Sequence, residues 1–271
     1  MNHIWSHSRS QRYCRCPRQI FYEKTIKLEN NTSSKGTIPP WKVVGDTVHE
    51  TIQRILELSR EQYGDEIDNM RISPNQIIDK SRGIFNSIIS EKELTISPEK
   101  TSQEVENQLR KTTKKHLLNW SKRFKSYYRG HRVIGIELDH TWNYQESQIR
   151  TIVDFVSSKN NTLYITDWKS NKDKLLSSND PQMAAYQIWA NEKFPHFAKL
   201  ESYHFYTKDG IIRKNKISSS FAEKIRDRIV SETSFWKSDD LVDFPTTPNQ
   251  KSCGYCRWTN YCEDAMIPNE F

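Results

Sequence analysis

The run Ile152-Val153-Asp154-Phe155-Val156 is apolar at every position but one. That is the composition of a strand covered on both faces, and a carboxylate in the middle of it costs several kcal/mol unless it is paired or binds a cation. The following run makes the same demand: Leu163, Tyr164, Ile165 and Thr166 lead into Asp167, Trp168 and Lys169. Side chains alternate along a strand, so Asp167 and Lys169 point to one face. Given a favourable hairpin register, Asp154 lies diagonally across from Asp167 on that face. Two carboxylates and an ammonium gathered there can seat a hard divalent cation, Mg2+ or Mn2+, through Asp154, Asp167 and the main-chain carbonyl of Trp168. Lys169 is then free to contact a water or a phosphate oxygen. A structural salt bridge fits the same tripeptide, so the weight falls on its surroundings.

Those surroundings read as an α/β fold. Ser73-Pro74 and Ser97-Pro98 each look like an N-cap followed by proline at the first helical position, where its missing N–H costs nothing. The helix after Ser97 carries Val105, Leu109, His116, Leu117, Trp120, Phe124 and Tyr128 on one stripe, and an earlier helix spans about Lys42 to Gln62 with Val44, Val48, Ile52 and Ile55 inward. Beyond Gly130 the pattern turns to strands: Arg132 to Trp142, Ile149 to Val156, and Leu163 to Lys169, the last two joined by a turn over Ser157 to Asn161. Asp180-Pro181 caps a helix to about Lys193, followed by a strand from Leu200 to Thr207, a short strand near Ile211 and a helix from about Ser219 to Trp236. The expectation is a mixed central β-sheet flanked by helices, with an N-terminal helical elaboration, in a single domain over 1–271. Its helical part covers about 1–130, its sheet-containing core about 131–240 and its Cys-rich end 241–271. In the Asp180 helix, Gln182 and Tyr186 stand at i, i+4 on one face, with Trp189 a turn further and better suited to the core.

The five cysteines are Cys14, Cys16, Cys253, Cys256 and Cys262. An odd number, with the last three spaced C-x2-C-x5-C, argues for metal rather than a disulfide framework, since the two-residue gap lets both sulfurs reach one centre. Four ligands are wanted, so one N-terminal cysteine joins the three. Spacing alone leaves structural zinc and an iron–sulfur cluster both open.

Asp154, then Asp167-Trp168-Lys169, then Gln182-x-x-x-Tyr186 resembles the PD-(D/E)xK nuclease superfamily, in particular its RecB-like exonuclease branch. The resemblance implies a restriction-endonuclease-like αβββαβ core and an active site of Asp154, Asp167, Lys169, Gln182 and Tyr186. Gly45-Asp46-Thr47-Val48-His49 is similar to the helical histidine motif of that branch, which implies His49 as a further metal ligand beside Asp154, Asp167 and Trp168. Glu137 matches an acidic position frequent there. Thr151 is a departure, standing where such members often carry glycine, which predicts a locally different backbone. Cys16-Pro17-Arg18-Gln19-Ile20-Phe21-Tyr22 resembles the start of iron–sulfur nucleases of the AddB-like and CRISPR-associated RecB-like kind. That implies a 4Fe–4S cluster on Cys16, Cys253, Cys256 and Cys262, with Cys14 spare and Pro17 opening a helix. The implied activity is metal-dependent hydrolysis of DNA, at single strands or duplex ends, in repair, recombination or CRISPR adaptation. The alternative is a DNA-end binding module that keeps the fold without turnover.

Charge agrees without deciding: 41 Lys and Arg against 34 Asp and Glu leave +7, with Lys111, Lys114, Lys115, Lys122, Arg123, Lys125, Arg129 and Arg132 crowded in one segment. A solvated helix face explains that segment as well as a phosphate-tracking groove does. No stretch reaches the roughly 18 apolar residues of a spanning helix, and an apolar leader is lacking, so a cytoplasmic chain without membrane contact is expected. No phosphate loop, GxSxG or HExxH occurs, so any ATP-driven unwinding falls to a helicase partner, and CRISPR adaptation proteins are the other expected company.

Overall fold

In the computed structural model, residues 4–26, 37–94, 101–172, 179–254 and 256–266 are described. The elements run α1 (His7–Arg15), α2 (Arg18–Thr25), β1 (Thr37–Ile38), α3 (Pro40–Tyr63), α4 (Pro74–Glu91), β2 (Glu93–Leu94) and α5 (Ser102–Tyr127). They continue with β3 (Arg132–Tyr144), β4 (Ser147–Lys159), β5 (Thr162–Lys169), α6 (Pro181–Lys193), β6 (Lys199–Tyr206), β7 (Ile211–Lys214), α7 (Ser219–Phe235) and α8 (Gln250–Cys253). The main sheet has the order β3-β4-β5-β6-β7. β5 is antiparallel to β4 and parallel to β6, with α6 as the crossover, and β7 returns antiparallel along β6. This is the expected α/β architecture, a mixed sheet flanked by helices and consistent with a restriction-endonuclease-like core.

Local chemistry accounts for most boundaries. Pro74 follows Ser73, and Pro181 follows Asp180, whose side chain accepts from the Met183 N–H. Ser97 and Pro98 lie outside the described residues. The helix beyond them is capped by Thr101, whose hydroxyl and the Glu104 carboxylate form a reciprocal capping box. The turn expected over Ser157 to Asn161 is tighter than that: β4 continues to Lys159, and only Asn160 and Asn161 turn, at φ 48° and 57°. Two successive left-handed residues suit the twist of a two-residue hairpin, and asparagine tolerates them. Gly130, at φ 71°, makes the corresponding bend between α5 and β3.

The chain divides into two compact units. One comprises Met1–Asn31, His140–Thr151 and Ser219–Phe271, and the other Thr32–Asp139 and Ile152–Ser218. The second unit has a core in which Val44, Val48, Ile52 and Ile55 of α3 and Ile77 and Phe85 of α4 join Trp120 and Phe124 of α5. On the sheet, Phe155 and Trp168 meet Phe124 edge to face, Phe205 meets Trp168 edge to face, and the Phe155 and Trp168 centroids lie 5.6 Å apart. Burying those large rings on one face of β4, β5 and β6 leaves the alternate residues, Asp154, Asp167 and Lys169, for the other. The first unit buries Trp5, Ile20, Trp236, Phe244 and Trp258. Its buried Glu232 accepts from Trp5 Nε1 at 2.8 Å and from Arg228 Nε at 2.7 Å, so the carboxylate is satisfied. Thr151 is a regular, buried residue of β4, its hydroxyl 3.4 Å from the His140 carbonyl.

Candidate metal centre

Register decides whether the acidic residues meet. β4 and β5 pair Val156 with Ile165 and Phe155 with Thr166. Continued by one step, that register brings Asp154 level with Asp167, on the shared face that was expected. Both are deeply buried, at 7% and 3% exposure. Asp154 Oδ2 accepts from the Trp168 N–H at 2.6 Å, so the peptide of Trp168 reaches the site while its indole lies in the core. Burial and the neighbouring Asp167 carboxylate push Asp154 well above the usual carboxylate range, against the Trp168 hydrogen bond and the Lys169 charge.

His49, from the third turn of α3, brings Nδ1 to 3.6 Å from Asp154 Oδ2. Glu137 of β3 completes the group: ligand atoms of His49, Glu137 and Asp154 all lie within 4.8 Å of one another. Oxygens about 2.1 Å from a Mg2+ ion stand at most about 4.2 Å apart, so small side-chain rotations bring this set to bonding distance. Glu137 arrives by an unusual route. Its φ is 46°, a left-handed conformation within a strand, and a Cβ built on Gly135 would fall 2.3 Å from Leu138. The kink turns the carboxylate into the site, where burial first and the Asp154 charge next raise it to about 7. Crowded, raised carboxylates beside an imidazole are the environment that a divalent cation relieves. The sequence identifies Glu137 as an acidic family position but does not make it a ligand. The available signal was only its fit to an acidic family position, because the kink breaks the alternation by which a strand face is counted.

Asp167 is engaged differently. Lys169 Nζ sits 2.6 Å from its Oδ2. Burial, the largest effect, works against the charge of Lys169, but the carboxylates of Asp167, Asp154 and Asp180 together hold the ammonium above its ordinary value. Lys169 also donates to Gln182 Oε1 at 2.8 Å, Gln182 Nε2 donates to the Tyr186 hydroxyl at 2.8 Å, and that hydroxyl donates to the Ile152 carbonyl. The i, i+4 pair on α6 thus forms a chain of hydrogen bonds from the lysine back to β4, two residues before Asp154. Tyr186 is 6% exposed, and burial raises its phenol well above the ordinary value. Its ring is packed inside rather than offered to a base. Trp189 is in the core, as its position suggested.

In the other unit, Cys16, Cys253, Cys256 and Cys262 line one cavity, together with Gln19, Thr247 and Ser252. Pro17 precedes α2 as expected, which leaves Cys16 at the junction of α1 and α2. Burial raises the Cys256 thiol, partly offset by the Trp258 N–H, with Cys16, Cys253 and Cys262 close enough to add to the rise. Among the described residues, no three of these sulfurs lie within 4.8 Å of one another. Cys14 is not among the cavity walls; its sulfur takes the Arg228 Nη2 at 2.7 Å.

The mixed sheet carries an aspartate on one strand and Asp-x-Lys on the next, with His49 and Glu137 beside them. A family model for the PD-(D/E)XK nuclease superfamily matches residues 4–263, and the chain belongs to that superfamily. Membership implies a metal-dependent nuclease that uses Mg2+ or Mn2+. A comparison with curated proteins gives no match. Among solved structures, the crystal structure of SSO0001 is similar at 13% identity, covering 92% of this chain and 94% of that one with a TM-score of 0.33. Protein VC1899 from Vibrio cholerae is similar at 10% identity, covering 86% of this chain and 58% of that one with a TM-score of 0.23. No helix among the described residues is long and apolar enough to cross a membrane.

Proposed function

We propose that the chain is a divalent-metal-dependent deoxyribonuclease of the RecB-like exonuclease branch, hydrolysing phosphodiester bonds at single strands or DNA ends. The observation that carries this reading is the convergence of His49, Glu137 and Asp154 on one point, beside the Asp167–Lys169 pair. His49, Asp154 and Glu137, with Asp167 and the Trp168 carbonyl, hold the cation. When bound, Mg2+ or Mn2+ supplies Lewis acidity toward the scissile phosphate. Lys169, kept as an ammonium, directs its protons at the attacking water or a non-bridging oxygen. Gln182 holds Lys169 in that orientation, and Tyr186 holds Gln182. Asp167 offsets the lysine charge and keeps Nζ on the reactive side of β5.

The test is a labelled single strand incubated with and without Mn2+. Asp154→Ala and Lys169→Ala are expected to lose divalent-dependent cutting while staying folded, and retained cleavage in either pure variant overturns the assignment. Binding by the wild type with no products in either condition points instead to a DNA-end binding module. Repair, recombination or CRISPR adaptation is the setting this activity suits, with unwinding supplied by a helicase.

For the second site we infer a 4Fe–4S cluster on Cys16, Cys253, Cys256 and Cys262, acting as a structural staple. Its support is the cavity that the four cysteines share, together with their C-x2-C-x5-C spacing and the early Cys16. Such a staple joins residues 16 and 253 and closes a long loop. An anaerobic absorption spectrum with iron and zinc analysis decides it: a brown protein containing iron supports the cluster, and stoichiometric zinc overturns it.

A further inference from the structure

Trp41 stands in the first turn of α3 with 72% of its surface exposed. Trp5, Trp120, Trp168, Trp189, Trp236 and Trp258, by contrast, are all buried. Trp41, Gly45 and His49 are spaced i, i+4, i+8 and so lie along one ridge of α3. That ridge faces the end of β5: a Cβ built on Gly45 would stand 3.2 Å from Ser170 Oγ, one residue past Lys169. In the opposite direction along α3, the cleft lined by His49 continues past Glu50, held by Arg54 at 2.7 Å, to Glu57 and Glu137. On the side that Trp41 overlooks, Asp46 is paired with Lys42 at 2.7 Å.

We propose that Trp41 is a substrate-binding residue, a platform on which one base of a single strand stacks while the phosphate to be cut lies at His49 and Asp154. The proposal rests on the nuclease reading of that site and adds a residue that selects unpaired bases. Eight residues of helix separate Trp41 from His49 by about 12 Å. At roughly 3.4 Å per nucleotide for a stacked strand and about twice that when extended, the platform meets the second to fourth base from the cut. An indole face accepts any base, since every base has a π-face, but it requires the base to be unpaired. A strand within a duplex presents its base faces to its neighbours, so the platform selects single strands and frayed ends.

The experiment uses the full chain, Trp41→Ala and Trp41→Phe. Affinity for a fluorescein-labelled single strand is read by anisotropy with Ca2+ in place of Mn2+, and KM and kcat are read with Mn2+. Trp41→Ala is expected to weaken single-strand binding about 5- to 100-fold, the worth of one base–aromatic stack, with the loss falling on KM more than on kcat. Trp41→Phe should recover most of it. A strand made abasic at the second, third or fourth position from the cut should erase the difference between wild type and Trp41→Ala at one of those positions. Equal affinity of wild type and Trp41→Ala overturns the proposal, and so does a deficit that persists at all three abasic positions. A wild type that binds the strand but never cuts it would instead overturn the nuclease reading, and the anisotropy comparison would still judge Trp41.

Discussion

Removing one oxygen atom tests how the site holds its lysine. In Tyr186→Phe the ring keeps its packing, but Gln182 Nε2 loses the acceptor at 2.8 Å and the Ile152 carbonyl loses its donor. The residue is 6% exposed, so water replaces those bonds poorly. A buried hydrogen bond lost with its partners left behind costs about 1–3 kcal/mol, which lowers the melting temperature by roughly 2–6 °C in a chain of this size. The larger effect falls on rate. Asp167 still holds Lys169 at 2.6 Å, but the amide that fixes its second direction is free to swing. Misplacement of a reacting group by about an ångström costs up to roughly 100-fold, so kcat should fall about 10- to 100-fold with little change in KM. Because the links run in series, Gln182→Leu, Tyr186→Phe and the double variant should have similar kcat values, a coupling that a double-mutant cycle on Mn2+-dependent cleavage and on thermal melts measures directly. Independent, multiplying losses, or an unchanged rate in Tyr186→Phe, would refute the relay.

Two further outcomes concern groups elsewhere, the first of them buried histidines. His116 and His131 are buried against Thr207 and Ser157 and are pushed down to about 4, first by burial and then by nearby lysines. The unfolded chain takes up those protons near pH 6.5 and the folded chain only near 4. Their contribution is therefore complete above about pH 6.5 and is lost as the pH falls toward 4, by on the order of 3 kcal/mol per histidine. Melts of wild type and His131→Asn between pH 7.5 and 4.5 should show the wild type losing more stability on acidification, and parallel curves would contradict the assignment. Cys256→Ser purified anaerobically should retain less than roughly a tenth of the wild-type iron and melt earlier, whereas Cys14→Ser should keep both. Iron loss in Cys14→Ser but not in Cys256→Ser would reverse the ligand set.

Where local chemistry is strong, the chain can be read directly. Asp180-Pro181 and Ser73-Pro74 mark helix starts, and the apolar runs around Asp154 and Asp167 mark strands. The start of α5 was also written locally: Thr101 and Glu104 spell a capping box, a better signal than Ser97-Pro98. The hairpin was placed too loosely because serine and lysine are as compatible with strand as with turn, and only the left-handed Asn160 and Asn161 mark the reversal. Glu137 was legible only as a match to an acidic family position, and its role as a ligand was not. Counting alternate residues along β3 assumes an unbroken pleat, and one residue at φ 46° resets that count.

By itself, the sequence determined which groups had to be paid for. Carboxylates inside apolar strands demand a partner wherever they are buried, and i, i+4 spacing fixes a shared helix face before any neighbour is known. Which groups meet was left to tertiary structure: the register that sets Asp154 opposite Asp167, the α3 ridge that carries His49 and Trp41, and the inward turn of Tyr186. Those contacts join residues far apart in the chain, and their geometry depends on how sheet and helices pack against a common core. No local propensity encodes that packing.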